Sequence, residues 1–133
     1  YKKKCMSFMH ENNLLNRIKI LSGLSLNDMA SIYQNAEMLI YPSIFEGFGI
    51  PILEALYCKI PVISSKGGCF IEAGGPDSIY IDPLSKVDII EAINKIDNNP
   101  EIRKKMISNG LKHAENFSDE NIANNLMKVY KSL

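Results

Sequence analysis

A chain of 133 residues, 46% of them apolar, can bury a real core within one domain. Its 15 basic and 15 acidic residues cancel, so no net field draws it toward nucleic acid or a charged membrane surface. Three cysteines, at positions 5, 58 and 69, lack metal-ligand spacing and argue against a disulfide framework; with no signal peptide and no apolar run of spanning length, the chain reads as cytoplasmic and reduced.

In chain order, Cys5, Met6, Met9 and Leu14 predict a short amphipathic helix between Tyr1 and Asn16. Arg17 to Leu21 predicts a strand that stops at Ser22-Gly23. Ser25, with Asp28 three residues on, predicts a capped helix whose apolar face is Leu26, Met29, Ala30 and Tyr33. A strand at 38–41 leads into a loop and then a helix opened by Ile50-Pro51. That helix should stop near Cys58-Lys59, because Ile60-Pro61 favours extended backbone. Val62-Ile63-Ser64 is a β-branched run of the kind covered on both faces.

The glycine-rich stretch 65–76 reads as loop with one helical turn at 70–73, and Ser78 to Ile81 as a short strand. Ser85 and Asp88 cap a helix with a stripe of Ile89, Ile90, Ile93 and Ile96. Asn99-Pro100 restarts a helix with Ile102, Met106, Ile107 and Leu111 inward; Gly110 costs it about 1 kcal/mol relative to alanine and predicts a weak point. Ser118 caps a final helix presenting Ile122, Leu126, Val129, Tyr130 and Leu133 on one side, and the methionines at 106 and 127 read as core filler. Short strands alternating with helices predict an α/β domain: a parallel, Rossmann-like sheet with helices on both faces. Its ligands would sit beyond the carboxyl ends of the strands, where the loops after Gly23, Tyr41 and Ser64 gather.

Within that frame the stretch YPSIFEGFGIPILEA, Tyr41 to Ala55, is the richest in chemistry. Strand, glycine loop and helix start make an anion site: Gly47 and Gly49 let backbone approach a ligand, and the first helical N–H groups favour phosphate. Glu46 and Glu54 would flank that position. An ionised carboxylate only accepts hydrogen bonds, and its two oxygens match a pair of neighbouring hydroxyls such as a sugar supplies. The stretch therefore reads as a site for a phosphate with a sugar on each side, a nucleotide-sugar. The plainer account is that Glu54 complements the helix dipole and Glu46 is a solvated loop residue. The Phe48 ring is open between core and ligand contact, and Ser43 reads as a turn residue. No Asp-x-Asp occurs, and GFGIPI lacks the third glycine of a dinucleotide fingerprint.

EGFGIPILEA, with its Glu-x7-Glu spacing, resembles the retaining GT-B glycosyltransferases, most closely glycosyltransferase family 4 (group 1). Ile18 to Gly23, Leu26 to Ala36, Ile60 to Ser65 and Ser78 to Pro83 resemble neighbouring elements of that family, so the similarity covers nearly the whole chain. The resemblance implies that Glu54 holds the ribose hydroxyls, that Gly47, Phe48, Gly49 and Ile50 meet sugar and phosphates through backbone, and that Glu46 is the catalytic-site acceptor for sugar hydroxyls. It implies no metal and no cofactor, only a nucleotide-sugar donor with mannose or glucose as first candidates, and a glycan or glycolipid acceptor. Glu72 aligns with a recurrent acidic residue, within a changed setting. Ser22 to Ser25 would lie near the base.

The same resemblance implies that residues 1–133 are a truncated donor-binding domain, the partial C-terminal half of a GT-B fold, with the acceptor-binding N-terminal domain and the first two strands absent. The first residue, Tyr rather than Met, fits a piece of something longer. An Arg and a Lys that would assist the departing diphosphate belong to those missing strands, and neither Arg17 nor Arg103 matches them. The strand at 18–21 would then lack a neighbour, which predicts either a rearranged sheet or a homo-oligomer formed through the open edge. Localisation would be cytoplasmic, with peripheral attachment to the inner membrane face in the full protein. Two further readings stay open: a non-catalytic α/β nucleotide-binding or interaction module, and a GT-B-shaped sugar-nucleotide epimerase.

Overall fold

A computed structural model of the chain describes residues 1–132. Three parallel strands, β1 (Leu39–Tyr41), β2 (Val62–Ser65) and β3 (Ile79–Ile81), lie in the order β1-β2-β3. Ile40 pairs with Ile63, and Ser64 with Tyr80. The helices are α1 (Lys2–Glu11), α2 (Leu26–Gln34), α3 (Ile50–Tyr57), α4 (Gly68–Gly74), α5 (Lys86–Asp97), α6 (Pro100–Glu115) and α7 (Asp119–Lys131). The α/β class, the parallel sheet and its helical flanks are as the sequence predicts.

Alternation along β2 divides the core, because successive strand side chains point to opposite faces. Val62 faces a cluster with Ile52, Ala55 and Leu56 of α3 and Phe70 and Ala73 of α4. Ile63 faces a second cluster with Ile81, Ala92, Ile96 and Met106. Helix α6 serves both, giving Ala114 to the first and Met106 to the second. Ile52, Val62, Ile63 and Ile96 are fully buried, each stabilising the fold by roughly 1.5–3 kcal/mol.

Local signals set the helix starts. Ser25 and Asp28 form a reciprocal capping box, Ser85 accepts from the Asp88 N–H, Asn99 from Ile102 and Ser118 from Asn121. Helix α3 ends in a Schellman arrangement, with Ile60 N–H donating to the Ala55 carbonyl and Lys59 at φ 60°.

Several expectations are corrected. No strand forms at 18–21: Ile18, Ile20 and Leu21 stand in solvent, because a strand needs a ladder partner and none is beside them. Residues 68–74 form a helix rather than loop with one turn, since Phe70 and Ala73, three apart, bury one face against α3 and β2. On α5 the inward positions are Ile89, Ala92, Ile93 and Ile96, while Ile90 points outward. On α2 only Met29 and Tyr33 pack on the core, and Leu26 and Ala30 are exposed.

Gly110 is a close-approach residue rather than a weak point: a Cβ there would lie 2.6 Å from Leu56 Cδ2, so its bareness lets α3 and α6 meet. Helix α7 buries none of its side chains; Ile122, Leu126, Val129 and Tyr130 are exposed, as is Met127, which is therefore not core filler. Leu133 lies outside the described residues. Met9 is the buried residue of α1, while Met6 is exposed.

Candidate functional site

The loop 42–49 leaves the carboxyl end of β1 and enters α3, at the edge where the sequence places a ligand. Gly49 is the N-cap of α3 at φ 101°, a left-handed backbone that favours glycine, and Pro51 stands in the first turn. The loop is fastened sideways to β2 and α4. Ser64 Oγ donates to the Tyr41 carbonyl, Ser65 Oγ to the Ser43 carbonyl, and Cys69 Sγ to the Glu46 carbonyl at 3.4 Å.

Glu46 is half-buried, and its Oε1 accepts from Tyr41 Oη at 2.6 Å and from Ser43 Oγ at 2.9 Å. The Tyr41 bond first, then Ser43, holds the Glu46 carboxyl below the usual carboxylate range. The Tyr41 phenol is pushed up to about 12, first by the bond to Glu46 and then by burial. Ser43, read from sequence as a turn residue, is thus a partner of Glu46.

Glu54 lies on the exposed side of α3 and opens onto a hollow of about 310 Å³ between α2 and α3. Leu26, Met29, Ala30, Tyr33, Tyr57 and Cys58 line it with Glu54. Burial first, then the Glu54 charge, pushes the Tyr33 hydroxyl up to about 12. Among the described residues neither Glu46 nor Glu54 is in an ion pair. The loop and helix bring Glu46, Gly47, Gly49 and Ile50 to one end of α3, with Glu54 one turn further along it.

Phe48 turns its ring inward, edge to face with Phe117 at 5.4 Å, which leaves its backbone for a ligand. Glu72 is exposed on α4; its carbonyl, rather than its carboxylate, meets His113 Nε2 at 2.8 Å. Ser25 is occupied in capping α2, though its neighbour Leu26 borders the Glu54 hollow. Arg103 pairs with Glu37, at the opposite end of β1 from the loop. Sequence reasoning missed the tethers from Ser64, Ser65 and Cys69; a pair of hydroxyls closing a buried strand was the available signal.

Among the described residues no helix is long and apolar enough to cross a membrane. The family model described as glycosyl transferases group 1 matches residues 1–113. An O-antigen chain mannosyltransferase B of Escherichia coli is 35% identical over 117 residues, covering 87% of this chain and 30% of its own length. The chain also superposes on sucrose-phosphate synthase from Thermosynechococcus elongatus with a TM-score of 0.85 and 25% identity, over 98% of this chain and 33% of that one. The C-terminal domain of a glycosyl transferase group 1 family protein from Francisella tularensis superposes with a TM-score of 0.72 and 25% identity, over 86% of this chain and 60% of its own. The chain spans between 28% and 38% of the length of three curated relatives, the mannosyltransferase among them.

Proposed function

The chain belongs to the glycosyl transferases group 1 family, and from that membership we propose that it is the donor-binding part of a retaining glycosyltransferase of family 4. It binds a nucleotide-sugar whose ribose hydroxyls meet Glu54, whose phosphates lie against the backbone of 47–50 at the α3 start, and whose sugar meets Glu46. The observation that carries this reading is the β1–loop–α3 junction, which holds two carboxylates, neither in an ion pair among the described residues, around a left-handed glycine bend and a helix mouth. The hollow between α2 and α3 is apolar enough to take the flat face of a base beside Glu54.

Transfer to a glycan or glycolipid acceptor belongs to the full-length protein, whose other half supplies the acceptor site and the basic groups for the departing diphosphate. Mannose is the favoured sugar, on the strength of the related mannosyltransferase. The absence of an Asp-x-Asp motif supports a metal-independent reaction. We place the protein in the cytoplasm, attached at most peripherally to the membrane.

Titrating GDP, UDP, GDP-mannose and UDP-glucose into the chain and into Glu54→Ala tests the reading. Binding by the parent chain that disappears in the variant supports it. No binding of any of the four by the parent chain supports an inert α/β module instead.

A further inference from the structure

We propose that Tyr41 and Ser43 are positioning residues that occupy Glu46 Oε1, so that the carboxylate meets a bound sugar through Oε2 alone rather than gripping it with both oxygens. The inference rests on the nucleotide-sugar reading for its ligand and on the ligand-free geometry for everything else. A carboxylate oxygen has two acceptor sites, and both of Oε1's are filled, by Tyr41 at 2.6 Å and Ser43 at 2.9 Å. Ser43 has one hydroxyl hydrogen to give. Its other acceptor in reach, the Phe45 carbonyl, is farther away at 3.3 Å, so the charged oxygen takes it.

Both donors are themselves held. The Tyr41 carbonyl accepts from Ser64, and its ring stands edge to face with Phe70 at 6.4 Å. The Ser43 carbonyl accepts from Ser65, and the Glu46 carbonyl from Cys69. The carboxylate is therefore fixed from its backbone and from one oxygen, with Oε2 left as its acceptor. The titratable group on the carboxylate is Tyr41 from β1, while Cys69 from α4 meets the Glu46 carbonyl; among the described residues no Lys or Arg lies within ion-pair distance. With its phenol pushed up to about 12, Tyr41 stays protonated and remains a donor across the working range.

The test uses Tyr41→Phe, which keeps the ring against Phe70, and Ser43→Ala as a second variant. Carbon NMR of the Glu46 carboxyl in the ligand-free chain should show its titration midpoint move upward in both. GDP-mannose and UDP-glucose should bind about tenfold more weakly to Tyr41→Phe, while GDP and UDP bind as before. An unmoved midpoint overturns the proposal, and so does equal weakening of the nucleotides with and without sugar. If the parent chain binds no nucleotide at all, the transferase reading fails, and the titration still decides whether Tyr41 holds Glu46.

Discussion

Around Glu46 the polar neighbours are donors supplied by the chain itself, Tyr41 and Ser43, and the backbone beneath is pinned by Ser65 and Cys69. Glu54 instead looks across an open hollow walled by Leu26, Met29, Ala30 and the two tyrosines, 33 and 57. One carboxylate is held by the chain itself, so a ligand bound there would cost it little freedom; the other would be enclosed by the ligand it received. On the nucleotide-sugar reading, the difference teaches that the two ends of one site can divide the work. The fixed end would then discriminate, and the open end supply affinity.

The largest expected effect breaks the open end. Glu54→Ala should weaken a nucleoside diphosphate and its sugar conjugate alike, by about 100-fold, since ribose hydroxyls are common to both; calorimetry reads this directly. Next comes the bend between the two regions. Gly49→Ala forces a side chain into φ 101°, with its Cβ 3.2 Å from Ile52 Cδ1, and should cost about 2 kcal/mol of stability by urea unfolding.

Glu46→Gln should weaken only the sugar-bearing ligand, by about tenfold. It should also change the acid limb of stability. The folded carboxyl titrates below its ordinary 4.5, so its contribution is complete above that value and is lost as pH falls through the lower, folded value. Urea midpoints should therefore drop less on acidification in Glu46→Gln than in the parent chain. Smallest of all, Lys59→Gly relieves a left-handed residue at the end of the helix that carries Glu54. It should add up to about 1 kcal/mol of stability and leave both ligand affinities unchanged.

What was legible in the sequence was local. Ser25 with Asp28 and Ser85 with Asp88 act over three residues, so their helices could be placed from the chain alone. The β1–loop–α3 junction is equally local, which is why the strand, bend and helix start that carry Glu46, Gly49 and Glu54 could be placed. The misses depend on what stands opposite. Ile18 and Ile20 have the composition of a strand and no partner to pair with. Gly110 looks like a helix defect until Leu56 is seen against it. Ile122 and Leu126 have the spacing of a packed face and nothing described covers them. At the site itself, the Tyr41 bond to Glu46 depends on how the loop folds back over the strand end, which spacing does not encode.

Phe48 lies between Gly47 and Gly49, where an aromatic ring invites interpretation as a platform for a sugar. Its ring is instead stacked edgewise on Phe117, which stands edgewise to His113 in turn, at 5.4 Å each. Three rings thus join the far end of α6 to the strip of main chain that enters α3. Exchanging Phe48 for a smaller apolar residue would register in the melting temperature before it altered the choice of donor. Any tilt of the end of α6 would reach the amides at the mouth of α3 through that column.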